Sequence, residues 1–218
     1  MDERHIKVSR TARYFILGAI NSDTRQLWLV CHGYRQLARR FLDRFQKLDD
    51  GSRVIVAPEG LSRFYLEENG VRESDKIGAT WMTREDRMNE IRDYIGYLDE
   101  VLENVQEGLA EPLESLIVLG FSQGVHTACR WVIAGDMPVK YLICWGAYPP
   151  DDLDLERGPG RLADSGLILV RGLSDRRAME ESHHMQEERL FKMNVPFRTL
   201  THPGGHDLDA GLLQNLAG

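Results

Sequence analysis

The chain has 218 residues, 42% of them hydrophobic and 28% charged, with a net charge of −7. That length suits one domain with a substantial core. The acidic balance lacks the basic footprint of a nucleic-acid binder, and no apolar stretch approaches the roughly 20 residues needed to cross a bilayer.

The N-terminus, Met1-Asp2-Glu3-Arg4-His5, is charged and no signal-type apolar core follows it, so a cytoplasmic location is expected. Three cysteines, Cys31, Cys129 and Cys144, suit a reducing compartment and read as buried small hydrophobes. No metal site is expected among them.

Arg13 to Ala19 has β character. Asn21-Ser22-Asp23-Thr24 supplies turn residues, and Gln26 to Cys31 is a second strand. Their separation predicts an antiparallel N-terminal hairpin. Leu37, Phe41, Phe45 and Leu48 recur at helical spacing within Tyr34 to Leu48. Arg53 to Ala57 reads as a short buried strand ending at Pro58.

Glu59 to Thr83 has weak periodicity and reads as a long loop. It carries Phe64, Tyr65, Trp81 and Met82, more apolar surface than a solvated loop needs, which marks it as a candidate pocket wall. The alternative is a loop packed onto the sheet edge by its own aromatics. Its runs Glu67-Glu68-Asn69 and Arg72-Glu73-Ser74-Asp75-Lys76 are too polar for a membrane-docking lid.

Thr83 to Val105 forms an amphipathic helix, with Thr83 as N-cap and Met88, Ile91, Ile95, Leu98 and Leu102 on its core face. Ser115 to Leu119 is a strand, Gly120-Phe121-Ser122-Gln123-Gly124 a sharp turn and Val125 to Ala134 a helix. Lys140 to Trp145 is a strand followed by Pro149-Pro150 and an acidic loop. Gly166 to Arg171 is a strand and Arg177 to Met193 a helix, with Met179, Met185 and Leu190 among its apolar positions. Phe197 to Thr201 is the last strand and Asp207 to Leu216 the last helix. Strand and helix alternate after an antiparallel start. That pattern predicts a single α/β domain over residues 1–218, with a mainly parallel sheet and helices on both faces.

A G-x-S-x-G sequence between a strand and a helix sets its serine on a strained turn with the hydroxyl exposed above the sheet. Gly120 and Gly124 are expected there because a Cβ would collide with the neighbouring strand or helix. The plainer alternative makes Ser122 an ordinary helix N-cap.

A serine hydroxyl needs a base, and the base needs an acid to hold its tautomer. Exits from parallel strands converge on one sheet edge. Asp175, after the strand Leu167-Ile168-Leu169-Val170, supplies a candidate acid, and His206, in Thr201-His202-Pro203-Gly204-Gly205-His206, a candidate base. Asp151, Asp152 and Asp154 compete for the acid, and His202 and, more weakly, His32 compete for the base. Asp175 could instead cap the following helix, and His206 could be a turn residue. An oxyanion formed at Ser122 needs two backbone N–H donors. Gln123 and Tyr34, the latter in Cys31-His32-Gly33-Tyr34, are the candidates.

These elements resemble the α/β-hydrolase superfamily across nearly the whole chain, in the branch of small carboxylesterases, phospholipases and acyl-protein thioesterases. The resemblance rests on Cys31-His32-Gly33, Gly120-Phe121-Ser122-Gln123-Gly124, an Asp after the next-to-last strand and a Gly-His near the C-terminus. Gly78-Ala79-Thr80-Trp81-Met82 is similar to that group's Gly-x-x-Trp-Phe pocket segment, with Met82 in place of the aromatic. The His-Gly loop departs from the pattern in running Tyr34-Arg35-Gln36, where small or acidic residues are usual.

The resemblance implies a three-layer sandwich of about seven or eight strands and hydrolysis through an acyl-enzyme on Ser122, His206 and Asp175, without fixing the ester; the limited apolar content of Glu59 to Thr83 points to short to medium acyl chains. His32, Phe64, Tyr65, Trp81 and Met82 would border the substrate. No cofactor is expected. The expected partner is a small-molecule acyl ester, with neither nucleic acid nor stable membrane insertion, and a homodimer is compatible with the sequence. Thioesterase or lysophospholipase activity on the same triad, and a non-catalytic binding module, are the alternatives.

Overall fold

The computed structural model describes residues 1–68, 71–109, 113–176 and 180–218. In chain order the first elements are β1 (Tyr14–Leu17), β2 (Gln26–Cys31), α1 (Ala38–Leu42) running into a 3₁₀ segment (Asp43–Leu48), β3 (Arg53–Pro58), β4 (Ser62–Glu68) and β5 (Val71–Thr80). There follow α2 (Arg87–Glu107), β6 (Ser115–Phe121), α3 (Gln123–Ala134), β7 (Tyr141–Trp145) and α4 (Gly158–Asp164). The chain closes with β8 (Leu167–Gly172), α5 (Glu180–Lys192), β9 (Phe197–His202) and α6 (Ala210–Ala217).

Seven strands make one sheet in the order β1-β3-β2-β6-β7-β8-β9, and every pairing but β1 with β3 is parallel. Side chains alternate across a strand, so each apolar strand feeds two cores. Leu27, Leu29, Leu116, Val118, Leu142 and Leu169 face one side, under α2 and α3. Trp28, Val30, Ile117, Leu119, Ile143 and Val170 face the other, under α1 with its 3₁₀ extension and α6. This is a three-layer α/β/α sandwich. Each fully buried aliphatic side chain contributes about 1.5–3 kcal/mol, so the central strands tolerate no polar insertion.

The antiparallel first strand is present, but it forms no hairpin with β2. Tyr14 to Leu17 pair with Pro58 to Ile55, and β3 lies between β1 and β2. Burial explains the order. Five of six β2 residues are buried, whereas β1 has none buried. A strand apolar on both faces belongs inside the sheet, and the half-exposed one belongs at its edge.

Residues 59–83 are also more ordered than a loop. β4 and β5 form an antiparallel ribbon separate from the main sheet, with a register shift between Tyr65 and Glu67. Helix α2 begins at Arg87 after Asp86, not at Thr83, whose hydroxyl donates instead to the Glu90 carboxylate. Ile91, Leu98 and Leu102 lie on its buried face, while Met88 is exposed. The acidic loop after β7 contains α4, which the sequence reading did not anticipate. The expected start of the helix at Arg177, with Met179, lies outside the described residues; α5 is described from Glu180. Among the described residues no helix is long and apolar enough to cross a membrane.

Candidate active site

Strand β6 delivers the chain to the turn at Ser122. Every β6 residue is buried, so the strand is held rigidly at the middle of the sheet. Ser122 then takes φ 53° and ψ −118°, a conformation that L-residues with side chains avoid. Its N–H donates to the Trp145 carbonyl at 2.8 Å, and its own carbonyl accepts from Val125 N–H at 3.0 Å. These bonds hold the strain.

The flanking glycines are steric requirements. A Cβ on Gly120 would lie 2.5 Å from the Gly124 carbonyl oxygen, and one on Gly124 would lie 2.1 Å from that of Cys31. Ser122 occupies the N-cap position of α3, yet its side chain makes no capping hydrogen bond. The hydroxyl is not used to finish the helix.

Asp175 and His206 arrive from neighbouring strands. Gly172 on β8 pairs in register with His202 on β9, so the two exit loops begin side by side. Leu173 N–H donates to the His202 carbonyl at 2.8 Å, and Ser174 N–H donates to that of Gly204 at 3.0 Å. Thus laced, the loops place His206 Nδ1 2.6 Å from Asp175 Oδ2, with side-chain exposures of 12% and 4%. A charge-assisted contact this short, shielded from water, orients the ring strongly.

The imidazole loop is pinned further by Trp145 Nε1, which donates to the Asp207 carbonyl at 3.0 Å. The imidazole lies over Gly146, where a Cβ would come 3.0 Å from His206 Cε1. Gly146 follows Trp145, whose carbonyl holds Ser122 N–H, so the serine backbone and the histidine ring both bear on one short segment. His206 Nε2 is buried and makes no hydrogen bond among the described residues, to Ser122 included. Catalytic hydrogen bonds are commonly long in ligand-free sites and tighten around substrate.

The competing acids have other partners. Asp152 binds Arg130 at 2.6 Å and Arg87 at 2.7 Å, Asp151 binds Arg189 at 2.5 Å, and Asp154 accepts from the Glu156 and Arg157 amides. Burial alone would raise the Asp152 carboxyl, but the hydrogen bond and charge of Arg130 hold it below the usual range. His202 is buried against Trp145, with ring centroids 5.5 Å apart.

At the other side of the elbow, Gly33 N–H donates to Gln36 Oε1 at 2.7 Å and Arg35 N–H to the Ala79 carbonyl at 3.0 Å. The Tyr34 amide between them, and the amide of Gln123, donate to nothing among the described residues. The Gln123 side chain is tied down separately, with Nε2 donating to the Met82 carbonyl at 3.0 Å and to Thr80 Oγ1 at 2.9 Å.

His32 is wholly buried. Its Nδ1 meets the Gly33 carbonyl at 2.8 Å, and its Nε2 accepts Gly60 N–H at 3.0 Å. Burial pushes its pKa down to about 4, so it is neutral at pH 7 and shapes the loop.

The residues expected around the substrate separate into two groups. Phe64 is half-buried and stacks on Tyr34 with ring centroids 5.4 Å apart, and Tyr65 is exposed. Trp81 and Met82 are buried with His32, and Trp81 Nε1 donates to the His32 carbonyl at 2.8 Å. Their side chains pack into the core behind the His32 loop.

Two cavities flank the elbow instead. One, of about 410 Å³, is lined by Arg87, His126, Arg130, Tyr148 and Asp152, with His126 one helical turn after Ser122. Burial, and next the Arg130 cation, lower the pKa of His126. The other, of about 250 Å³, adjoins Phe121 and is lined by Arg35, Arg40, Arg44, Leu66 and Ile77. Of these residues only Asp152, as a competing acid, and Arg35, as a departure in the His-Gly loop, stood out in the sequence. The available signals were a histidine and an arginine inside the apolar helix α3, and an arginine-rich run opening α1. The one grouping of metal-capable side chains among the described residues, Glu3, His5 and Asp86, is exposed.

No protein-family model and no curated protein matches the sequence. Solved structures do resemble the fold. A carboxylesterase from Mesorhizobium loti is 18% identical, with 95% of each chain covered and a TM-score of 0.69. Acyl-protein thioesterase 2 from Zea mays is 14% identical, covering 95% of this chain and 96% of that one, with a TM-score of 0.67. A carboxylesterase from Bacillus cereus is 14% identical, covering 94% and 92%, with a TM-score of 0.63. The likeness spans the seven-stranded sheet with its single antiparallel edge and the helices on both of its faces: this chain has the α/β-hydrolase fold.

Proposed function

We propose that this protein is a serine hydrolase that cleaves carboxylic esters through an acyl-enzyme, with Ser122 as nucleophile, His206 as base and Asp175 as orienting acid. The observation that carries the reading is the 2.6 Å contact between His206 Nδ1 and Asp175, with Nε2 left uncommitted and Ser122, at φ 53°, held on the Trp145–Gly146 segment that the ring lies over. The carboxylesterases and thioesterase that share the fold agree with it.

With Nδ1–H donated to Asp175, Nε2 keeps a lone pair. It takes the Ser122 hydroxyl proton as the oxygen attacks the ester carbonyl. The carbonyl oxygen becomes an oxyanion, and the amides of Tyr34 and Gln123 donate to it. Asp175 stabilises the imidazolium without taking its proton. As the tetrahedral intermediate collapses, Nε2–H protonates the leaving alcohol and Ser122 is left acylated. Water then attacks the acyl carbonyl with His206 again as base, and the acid and free serine are released. The chemistry needs no cofactor. A thioester carbonyl would use the same groups, so acyl chains of graded length on oxygen and sulfur leaving groups separate the two activities.

A fluorophosphonate probe tests the reading directly. One equivalent should label the protein covalently, and Ser122→Ala should abolish both labelling and ester turnover. Labelling that survives in Ser122→Ala would place the nucleophile elsewhere, and absence of labelling in the wild type would favour a binding module.

A further inference from the structure

The two cavities beside the elbow are both rich in arginine, but only one answers its cations. In the larger cavity Arg87 and Arg130 both reach Asp152, at 2.7 Å and 2.6 Å, and Asp151 takes Arg189. In the smaller cleft three arginines, Arg35, Arg40 and Arg44, face a single acid, Asp207, which pairs with Arg44. Arg35 donates to the Glu67 backbone carbonyl at 3.2 Å, and Arg40 makes no ion pair among the described residues. The cleft therefore holds uncompensated positive charge in a protein of net charge −7. Local cation excess against an opposing overall charge is suited to holding an anion.

The backbone at Arg35 points the same way. Its φ is 70°, where a glycine would sit without strain. Arg35 N–H is held by Ala79, and the Arg35 carbonyl is pressed so closely on Gly78 that a Cβ there would lie 2.5 Å away. A long cationic side chain kept on a strained backbone beside a reactive site is a reason to look for what it holds. The floor of the cleft is apolar, from Leu66 and Ile77 on the ribbon and from Phe121. The Phe121 ring lies 5.0 Å from the His206 ring, and Phe121 and Asp207 are the chain neighbours of Ser122 and His206.

We propose that this cleft binds an anionic group carried by the substrate, a carboxylate or a phosphate, with Arg35 and Arg40 as its ligands and the apolar floor beneath the carbons that join it to the ester. The inference rests on the ester-hydrolase reading and narrows it to anionic esters. Guanidinium forks suit both anions, because each offers paired oxygens to parallel N–H donors.

The test compares kcat/KM within matched pairs: 4-nitrophenyl octanoate against its suberate monoester, phenyl acetate against 4-acetoxybenzoate, and monoacetin against acetylglycerol 3-phosphate. The pairs place a carboxylate on the acyl side, a carboxylate on the alcohol side, and a phosphate. In at least one pair the anionic-to-neutral ratio should fall about five- to tenfold in the double variant Arg35→Gln, Arg40→Gln. It should fall less in Arg40→Lys, which keeps the charge but loses the fork, and should shrink in about 0.5 M salt.

A ratio unmoved by the double variant, or moved instead by Arg87→Gln, overturns the proposal. Fluorophosphonate labelling with equal turnover of both members in every pair overturns the cleft assignment and leaves the hydrolase reading standing. No labelling and no turnover of any ester overturns both.

Discussion

At the scale of single residues, Asp175 and His206 divide one task. The carboxylate fixes which imidazole nitrogen carries the proton, and the other nitrogen is the base of the proposed mechanism. Asp175→Asn should preserve the shape of the loop while presenting the wrong hydrogen-bonding face to Nδ1. Turnover is expected to drop by roughly 10⁴, and His206→Ala should be as damaging as loss of the serine. If Asp175→Asn keeps near wild-type turnover while Asp152→Asn loses it, the acid has been misassigned.

His32 illustrates a histidine whose chemistry is structural. Its folded pKa, about 4, lies below the ordinary value of 6.5. Between those values the unfolded chain binds the additional proton, so this site stabilises the fold above pH 6.5 and the contribution is lost as pH falls toward 4. From pH 7.5 to 5 the site alone should remove about 2 kcal/mol. Urea titrations at the two pH values measure the loss, and His32→Gln should show a shallower fall. An identical fall in the variant would assign the proton uptake to other groups.

At the scale of elements, the strand–elbow–helix unit is built on close approach. Gly124 lets α3 run against the end of β2, where the Cys31 carbonyl lies 2.1 Å from the position a Cβ would take. Gly124→Ala must therefore push α3 away from the sheet and displace the Ser122 hydroxyl with it. Overpacking of this kind typically costs about 1–3 kcal/mol. A lowered urea midpoint with a still larger loss of fluorophosphonate labelling is expected, and wild-type labelling rates would show that the elbow tolerates the shift.

The elbow was readable from sequence because its requirements are local: a buried strand, two glycines and a helix within twenty residues. The β4–β5 ribbon carries one local signal in the sequence. Asn69-Gly70, between the two strands, is a strong hairpin dipeptide. Its flanks were too charged to look like strands, since a two-stranded ribbon outside the main sheet buries little.

At the scale of the whole molecule, one sheet couples two cores. Trp28 and Trp145 belong to one face and Trp81 and Trp131 to the other, and all four are buried. If residues 1–218 fold as one unit, tryptophan fluorescence and far-UV circular dichroism should trace a single coincident urea transition. Separated transitions would show that the two faces lose structure independently.

The amino-acid sequence by itself determined the alternation of strands and helices and the position of the elbow, and it narrowed the acid and the base to a few candidates. Each of these depends on periodicity, on turn chemistry or on the rule that parallel strands end at a common edge. Only the tertiary structure decided that β3 separates β1 from β2, that Asp175 rather than Asp152 reaches His206, and that Trp81 and Met82 sit behind the site. Those outcomes depend on which residues compete for the same buried space and the same hydrogen-bond partners. Arg130 is such a competitor: from nearly full burial on α3 it holds Asp152 across 22 positions of chain, a pairing that no local pattern encodes.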